Sequence, residues 1–580
     1  MNDLDVFGKA EEKGRPAFGI DLGTTNSAIS VCTVNEFVET ISLNRTSRKT
    51  IPSCVQWNGV PGEFVVGVEA YKNRAQKNVI YSVKTLMQNP DATVTFEYGD
   101  KKLTMTPAEV SAEILKALVR QTDGIYGEVK DVVVTVPAYF MIEGVEATKK
   151  ACELAGLNLL GILREPTSAS MCCKLDAGST QDVLIYDLGG GTFDVSLIHI
   201  ADDSGSSELD DLYGFDDAPV TEKVSDSKSI QVIDTSGDAH LGGDDYDKEI
   251  YHLFLKKLHA IHDFKDSDIP VEERENMILQ LESFKKASVE DVYSIYYDFH
   301  LVDGEIKGHV DFGPLDFVEA FVPIFDRTMK KVMEVIQRAP KQYKPEQIVL
   351  VGGSTKNPIL KEMLRSSFPS VTINDSYNPD ESVARGAAIQ AKRLKFGSGS
   401  VKVFDIVPIG IGIKVESDNG PIVKSVIKRG TRLPFSTSSF FSTTMDNQKV
   451  IEVEVYQGDS ISVPSCSKLG DVVIDKLKPA KAGEKTVVVK LSINADSILS
   501  CHVLMDGEER EKKISLAAGK GKSDTRTKEE RNVERWKNTA ATFGEADRMQ
   551  LLYLIGKYPE QVDRATIVDF INRTMAKQGK

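Results

Sequence analysis

The sequence predicts an α/β region with partly parallel sheets, followed by an all-β domain and a short helical tail. Three observations carry that prediction. Strand-like apolar runs alternate with helical patterns up to about Phe396, and after the run GSGS (397–400) the apolar period shortens to two. In addition, two stretches, GIDLGTTNSAISV from Gly19 and IYDLGGGTFDVSLI from Ile185, repeat one device. Each leads an apolar strand into Asp-Leu-Gly, turns on small and hydroxylic residues, and returns as a second strand, so that backbone N–H groups at the turn can converge on an anion. Led by Asp21 and Asp187, the pair implies a duplicated fold whose halves close on the phosphates of one nucleotide.

In the α/β region, DVVVTVP (131–137), DVLIYD (182–187) and IVLVGG (348–353) read as buried strands. Between them PAEVSAEILKALVRQ places Val110, Ile114, Ala117 and Leu118 on one helical face. Residues 202–226 hold nine acidic residues and a single lysine, the composition of a solvated loop inserted between two strands. IEVEVY (451–456) marks the β domain, which runs to about Leu516. AAGKGKSDTRTKEER is a charged linker, and residues 546–558 and 564–576 are the clearest amphipathic helices of the tail.

Composition narrows the function classes. A length of 580 residues suits three or four domains, and a formal charge of −15 argues against a general nucleic-acid binder. Seven scattered cysteines without a CxxC pair read as free thiols in a reducing compartment. With no signal-peptide core, no apolar run of membrane-spanning length and no ER-retention ending, the expected setting is soluble and cytoplasmic, with neither nucleic acid nor membrane as partner. His259 and His262 have a ligand-like spacing but no second pair, so a helix surface is the expected setting.

The chemistry concentrates in four glycine turns: the two hairpins, GDAHLGGDD (237–245) and VGGST (351–355). One such turn means little, but four in one region, two of them aspartate-led, point to a phosphate site. Phosphoryl transfer needs charge neutralisation, an oriented nucleophile and a metal. Asp21, Asp187 and Asp194 can hold magnesium through its waters, and Thr24 and Thr25 offer hydroxyl and amide donors. A lysine is also required, and spacing alone does not choose it.

FGIDLGTTNS, VVVTVPAYF, REPTSAS, YDLGGGTFDVS, GDAHLGGDDYD, VLVGGST and NPDESVARGAAIQA occur in the order found in the seventy-kilodalton heat-shock chaperones, and the chain resembles that family from about Phe18 to Ile514. The resemblance implies an α/β actin-like two-lobed ATPase domain followed by an all-β sandwich that binds peptides, and a short helical tail. The implied layout is an extension at 1–17, the ATPase domain at 18–396, a linker at 397–406, the sandwich at 407–516, and a linker with short helices at 517–580. The implied cofactors are ATP or ADP with Mg2+, K+ being a further ion the family admits. Lys84 matches the lysine that orients the attacking water and Glu165 the glutamate acting on the magnesium shell, while Asp21, Thr24, Asp187, Thr192 and Asp194 match the other metal and phosphate positions. Gly23, Thr25, Gly189, Gly190, Gly191, Gly242 and Gly243 belong to the same phosphate turns. Adenosine contacts carry over to Glu282, Lys285, Lys286, Gly352, Gly353, Ser354, Lys356 and Asp380, with lysines at Lys286 and Lys356 where the family has arginines, which stack better on adenine.

TRLP, FFSTTMDNQ, VYQGD and KLGD carry the likeness into the β domain, where Ile422 and Val463 are implied to line a pocket for aliphatic side chains of extended peptides. Three departures stand out. After PAYF the family's Asn-Asp-x-Gln-Arg series is replaced by MIEGVEAT, which puts Val145 in place of the arginine linked to the proline switch, Pro137. The linker reads VKVFDI, with Lys402 at a leucine position and Asp405 retained, and a charged side chain does not readily enter an apolar groove. The tail is shorter than the family's helical lid and is expected not to resemble it. The expected function is an ATP-dependent chaperone, a slow ATP hydrolase that binds unfolded polypeptides and works with a J-domain co-chaperone and a nucleotide-exchange factor. The alternative is a nucleotide-bound co-chaperone, exchange factor or assembly scaffold with little coupling between its domains.

Overall fold

The computed structural model describes residues 16–510 apart from 34–36, 44–45, 123–125, 173–179, 203–227, 287–290, 302–303, 398–400, 418–419, 444, 475–476, 478, 495–498 and 506–507, together with residues 550, 551, 554, 566, 567, 570, 573 and 574. The acidic insertion therefore lies, except for Asp202, outside the described residues. It lies between antiparallel neighbours, the strands Phe193–Asp202 and Lys228–Asp238, whose register pairs Asp202 with Lys228.

Two six-stranded sheets repeat one topology. In the first, the strand Ala17–Asp21 lies parallel to Asp131–Val136, which is followed by Asn158–Arg164; on its other side it pairs antiparallel with Asn26–Cys32. In the second, Gln181–Leu188 lies parallel to Gln347–Val351 and pairs antiparallel with Phe193–Asp202. Each sheet thus holds its aspartate-led hairpin at the same place in the strand order. The valines of Asp131–Val136 are buried on both faces, as a strand in a covered parallel sheet requires. The helix Pro107–Arg120 starts at a reciprocal cap between Thr106 and Glu109 and turns Val110, Ile114, Ala117 and Leu118 into the first core.

The motif NPDESVARGAAIQA has a packing explanation. Its helix, Ser382–Phe396, lies so close to the first sheet that a Cβ on Gly19 would sit 2.0 Å from the Ala388 amide nitrogen, and one on Gly386 would sit 1.8 Å from the Ser168 carbonyl oxygen. Only small residues allow that approach, which ties the first hairpin to the helix Glu165–Met171.

The β domain consists of two four-stranded antiparallel sheets, one carrying Ile451–Gln457 and the other Thr486–Ile493. Val455, Leu491 and Cys501 from the two sheets share one apolar cluster. Residues 1–518 form one compact unit and 519–580 a second. Among the described residues, several contacts join the β domain and its linker to the α/β region. The linker strand Val401–Phe404 adds in parallel to Lys228–Asp238 as the sixth strand of the second sheet. Ile142, from the helix Ile142–Leu154, belongs to the sandwich's own apolar cluster. Arg429 donates to the Thr235 carbonyl and lies 3.6 Å from Asp234 and 3.4 Å from Asp459.

In the linker strand the Lys402 side chain is exposed, while Val403 and Phe404 are half-buried, so in this arrangement the charge stays out of any apolar groove. Within the second unit, the described residues of both predicted tail helices are helical, and Leu551, Ile567 and Thr574 are buried. Among the described residues no helix is long and apolar enough to cross a membrane.

Candidate functional site

The turns of the two hairpins meet tip to tip. A Cβ on Gly190 would lie 1.7 Å from Thr25 Oγ1, and one on Gly191 would lie 3.0 Å from Thr24 Cγ2. The third glycine turn packs on the second hairpin: Gly243 donates to the Gly189 carbonyl (3.0 Å) and Asp244 to that of Gly190 (2.7 Å). Ser354 Oγ, from the fourth turn, also donates to the Gly189 carbonyl (2.8 Å). Four stretches far apart in sequence therefore enclose one cavity of about 490 Å3.

The inferred phosphate residues Gly23, Thr24, Thr25, Gly189, Gly190, Thr192, Gly242 and Gly243 line this cavity. So do Asp21, Lys84, Glu165 and Asp187. Glu282, Lys285, Gly352, Gly353, Ser354, Lys356 and Asp380 form the rest of the inferred nucleotide wall. Asp194 is buried just behind the wall, and Gly191 sits at the junction of the two turns. The side chain of Lys286 lies outside the described residues.

Charge is unbalanced at the floor of the cavity. Asp187 and Asp194 are direct partners across the second hairpin, so two carboxylates face one another. Asp21 accepts from Thr135 Oγ1 at 3.1 Å, and Glu165 pairs with the buried Lys84 ammonium. Burial, with Glu165 as a like-charged neighbour, pushes Asp21 up to about 7 and holds Asp187 and Asp194 well above the carboxylate range. Four carboxylates outnumber the Lys84 ammonium and the nearby Arg164 guanidinium, a surplus of negative charge that suits a cation bound through hard oxygen ligands. The Oδ1 of Asp194 is buried without a hydrogen-bond partner, as are the Oγ1 atoms of Thr24 and Thr25. A site with acceptors below and unsatisfied hydroxyls above fits a magnesium–phosphate group.

Several contributors carried no signal in the sequence reading. Asp244 and Asp247 line the cavity inside a motif read for its glycines, and burial followed by repulsion from Asp247 raises Asp244 to about 6. Lys285 is 2.6 Å from Asp247. Tyr71 and Arg74 reach across to Glu282, at 2.5 and 3.2 Å, and belong to no motif. Only the tertiary structure brings them there.

Near Lys84 and Glu165, the buried Arg164 donates through Nη1 to the carbonyls of Pro137 (3.0 Å), Ala138 (2.8 Å) and Phe140 (3.0 Å). Its positive charge acts on Asp405 in the linker, where burial nevertheless raises the carboxyl. Val145 is buried against Phe140, Val136 and Met87, so it fills a core under the Pro137 segment and makes no polar contact there. In the β domain, Ile422 bridges to Ser462, which brings it beside Val463; both side chains are half-buried. The two histidines part company: His259 stacks on Phe264 and bonds Asp266 at 2.7 Å, while His262 bonds the Tyr297 hydroxyl at 2.7 Å.

Comparison with known proteins agrees with this geometry. The model of the Hsp70 protein family matches residues 17–209 and 224–552. The chain belongs to the Hsp70 family. It is 32% identical, over 508 residues, to the protein named "Chaperone protein DnaK" of Mycoplasmoides gallisepticum, an alignment covering 86% of this chain and 80% of that one. The break in the family match, 210–223, falls inside the acidic insertion. The match continues to 552, which corrects the expectation that likeness ends near Ile514 and that the tail has none. The chain thus belongs to a family of ATP-binding heat-shock chaperones.

Proposed function

We propose that this chain binds ATP in the cavity between its two lobes, hydrolyses it slowly to ADP and phosphate, and captures extended apolar segments of unfolded polypeptides in its β domain. The observation that supports this most is the meeting of two threonine–glycine turns over buried carboxylates that outnumber the Lys84 and Arg164 cations. The turn amides and the hydroxyls of Thr24, Thr25 and Thr192 hold the phosphates. Asp21, Asp187 and Asp194, with Glu165, would hold magnesium through water, and the ion would offset phosphate charge during transfer. Lys84, kept in place by Glu165, orients the attacking water. Glu282, Lys285, Lys286, Gly352, Gly353, Ser354, Lys356 and Asp380 hold the nucleoside. Ile422 and Val463 form the apolar subsite for peptide. A J-domain protein and an exchange factor would drive the cycle from outside.

A second reading is favoured by one specific observation. Ile142 is embedded in the sandwich cluster and the linker is a strand of the second sheet, contacts that hold the β domain against the ATPase region. A chain fixed in that arrangement would serve as a nucleotide-bound co-chaperone, exchange factor or scaffold. Single-turnover ATP hydrolysis with and without an apolar heptapeptide separates the two. Stimulation by peptide supports the working chaperone; hydrolysis indifferent to peptide supports the scaffold; failure of ATP to bind at all removes both.

A further inference from the structure

A second group of ligand-type side chains lies away from the nucleotide cavity, on the outer face of the hairpin formed by Tyr293–Leu301 and Gly304–Phe312. We propose that Asp298, His300 and Glu305 form a binding site for a divalent transition-metal ion of the zinc class. One ligand atom from each lies within 4.8 Å of the other two. Strand geometry explains the convergence: Asp298 and His300 are two residues apart on one face, and Glu305 is the direct partner of His300 across the hairpin. The His300 N–H donates to Glu273 Oε2 at 2.9 Å, away from the neighbouring strand, so His300 and Glu305 form a non-hydrogen-bonded pair, the type with the closer side chains.

Glu273, from the helix Val271–Lys286, supplies the feature that distinguishes this group from scattered surface charge. Its Oε1 also meets His300 Nδ1 at 3.2 Å. Donation from Nδ1 to a carboxylate fixes the tautomer, leaves the Nε2 lone pair for a metal, and raises the basicity of the ring. Asp298 and His300 border an open cavity of about 880 Å3 between hairpin and helix, which leaves room for water ligands. One imidazole with two carboxylates suits zinc, whereas magnesium favours oxygen alone. Lys307 is the competing cation: it is the strand partner of Asp298 and lies 3.4 Å from Glu305. Its ion pair is exposed and correspondingly weak.

The test is a zinc titration of the full chain against a chromophoric chelator at neutral pH, in excess magnesium so that the nucleotide-site carboxylates do not compete, with cobalt absorption as a second readout. One saturable site per chain is expected. His300→Ala and Glu305→Gln, both at exposed positions, should each weaken it by about tenfold or more, and Glu273→Gln by roughly tenfold. Lys307→Ala should tighten it by about two- to fivefold. No saturable binding, or binding unchanged by both His300→Ala and Glu305→Gln, would overturn the assignment and place any bound zinc on thiols or cleft carboxylates.

Discussion

Thr24 and Thr25 are buried hydroxyls with no partner in the folded chain, an arrangement that is unfavourable unless a ligand completes it. Thr25→Ala should therefore weaken ATP binding by about tenfold or more, while the melting temperature of the nucleotide-free protein stays level or rises. Calorimetry with a parallel thermal melt checks this, and a hydroxyl with a purely structural role would show the opposite pattern. Lys84→Ala should slow single-turnover hydrolysis by about 100-fold or more with little change in ATP affinity, because it removes orientation of the water and leaves the phosphate cradle intact. Asp21 carries a pH dependence whose sign follows from its raised pKa. Its ordinary value of 3.8 becomes about 7 in the fold, so the folded state binds the extra proton. That contribution is fully present below about pH 4 and is lost as pH rises through about 7. Metal-free, nucleotide-free protein should accordingly melt at progressively lower temperature between pH 5 and 8, and Asp21→Asn should flatten the slope.

Among the elements, the linker strand and the start of the helix Ile142–Leu154 decide how the β domain is held. Lys402 was the residue expected to weaken that junction, yet its exposed position means that Lys402→Leu should change peptide stimulation of hydrolysis by less than about twofold. Ile142 carries more of the contact. Met141, beside it, accepts from Ser467 Oγ at 3.8 Å, so this corner, polar in the family pattern, is here largely apolar. Ile142→Asp would bury an unpaired carboxylate in the sandwich cluster, and hydrogen exchange of the Val401–Phe404 amides should then accelerate by about tenfold or more. Ile142→Val, which removes one methylene and costs about 1 kcal/mol, should give a smaller change in the same direction. Exchange unaffected by Ile142→Asp would show that strand pairing and Arg429 hold the linker without help.

At the scale of the whole molecule, turns from both sheets line one cavity, so a nucleotide bound there should stabilise the α/β region as a unit. Magnesium-ATP at a hundred times its dissociation constant should add about 2.7 kcal/mol, seen as a raised melting temperature that EDTA largely reverses. The duplicated hairpins, their aspartates, the glycine turns and the period change after residue 400 were all legible in the amino-acid sequence. These features are local: a strand pattern, a turn and an aspartate at the strand end are set within about ten residues, and their repetition reveals the duplication. Motif likeness assigned Lys84 and Glu165, although spacing alone did not choose the lysine. What local pattern does not contain is which distant groups meet. The reach of Arg74 and Tyr71 to Glu282 follows from the way separate elements pack. The same limit applied to the junction with the β domain. Composition marks Lys402 as a charge in an apolar linker, but only pairing with Lys228–Asp238 determines which face of the strand it occupies, and only packing carries Ile142 into the neighbouring core. Sequence by itself determined the parts and their chemistry; tertiary structure decided their partners, because strand register and close packing depend on residues hundreds of positions apart.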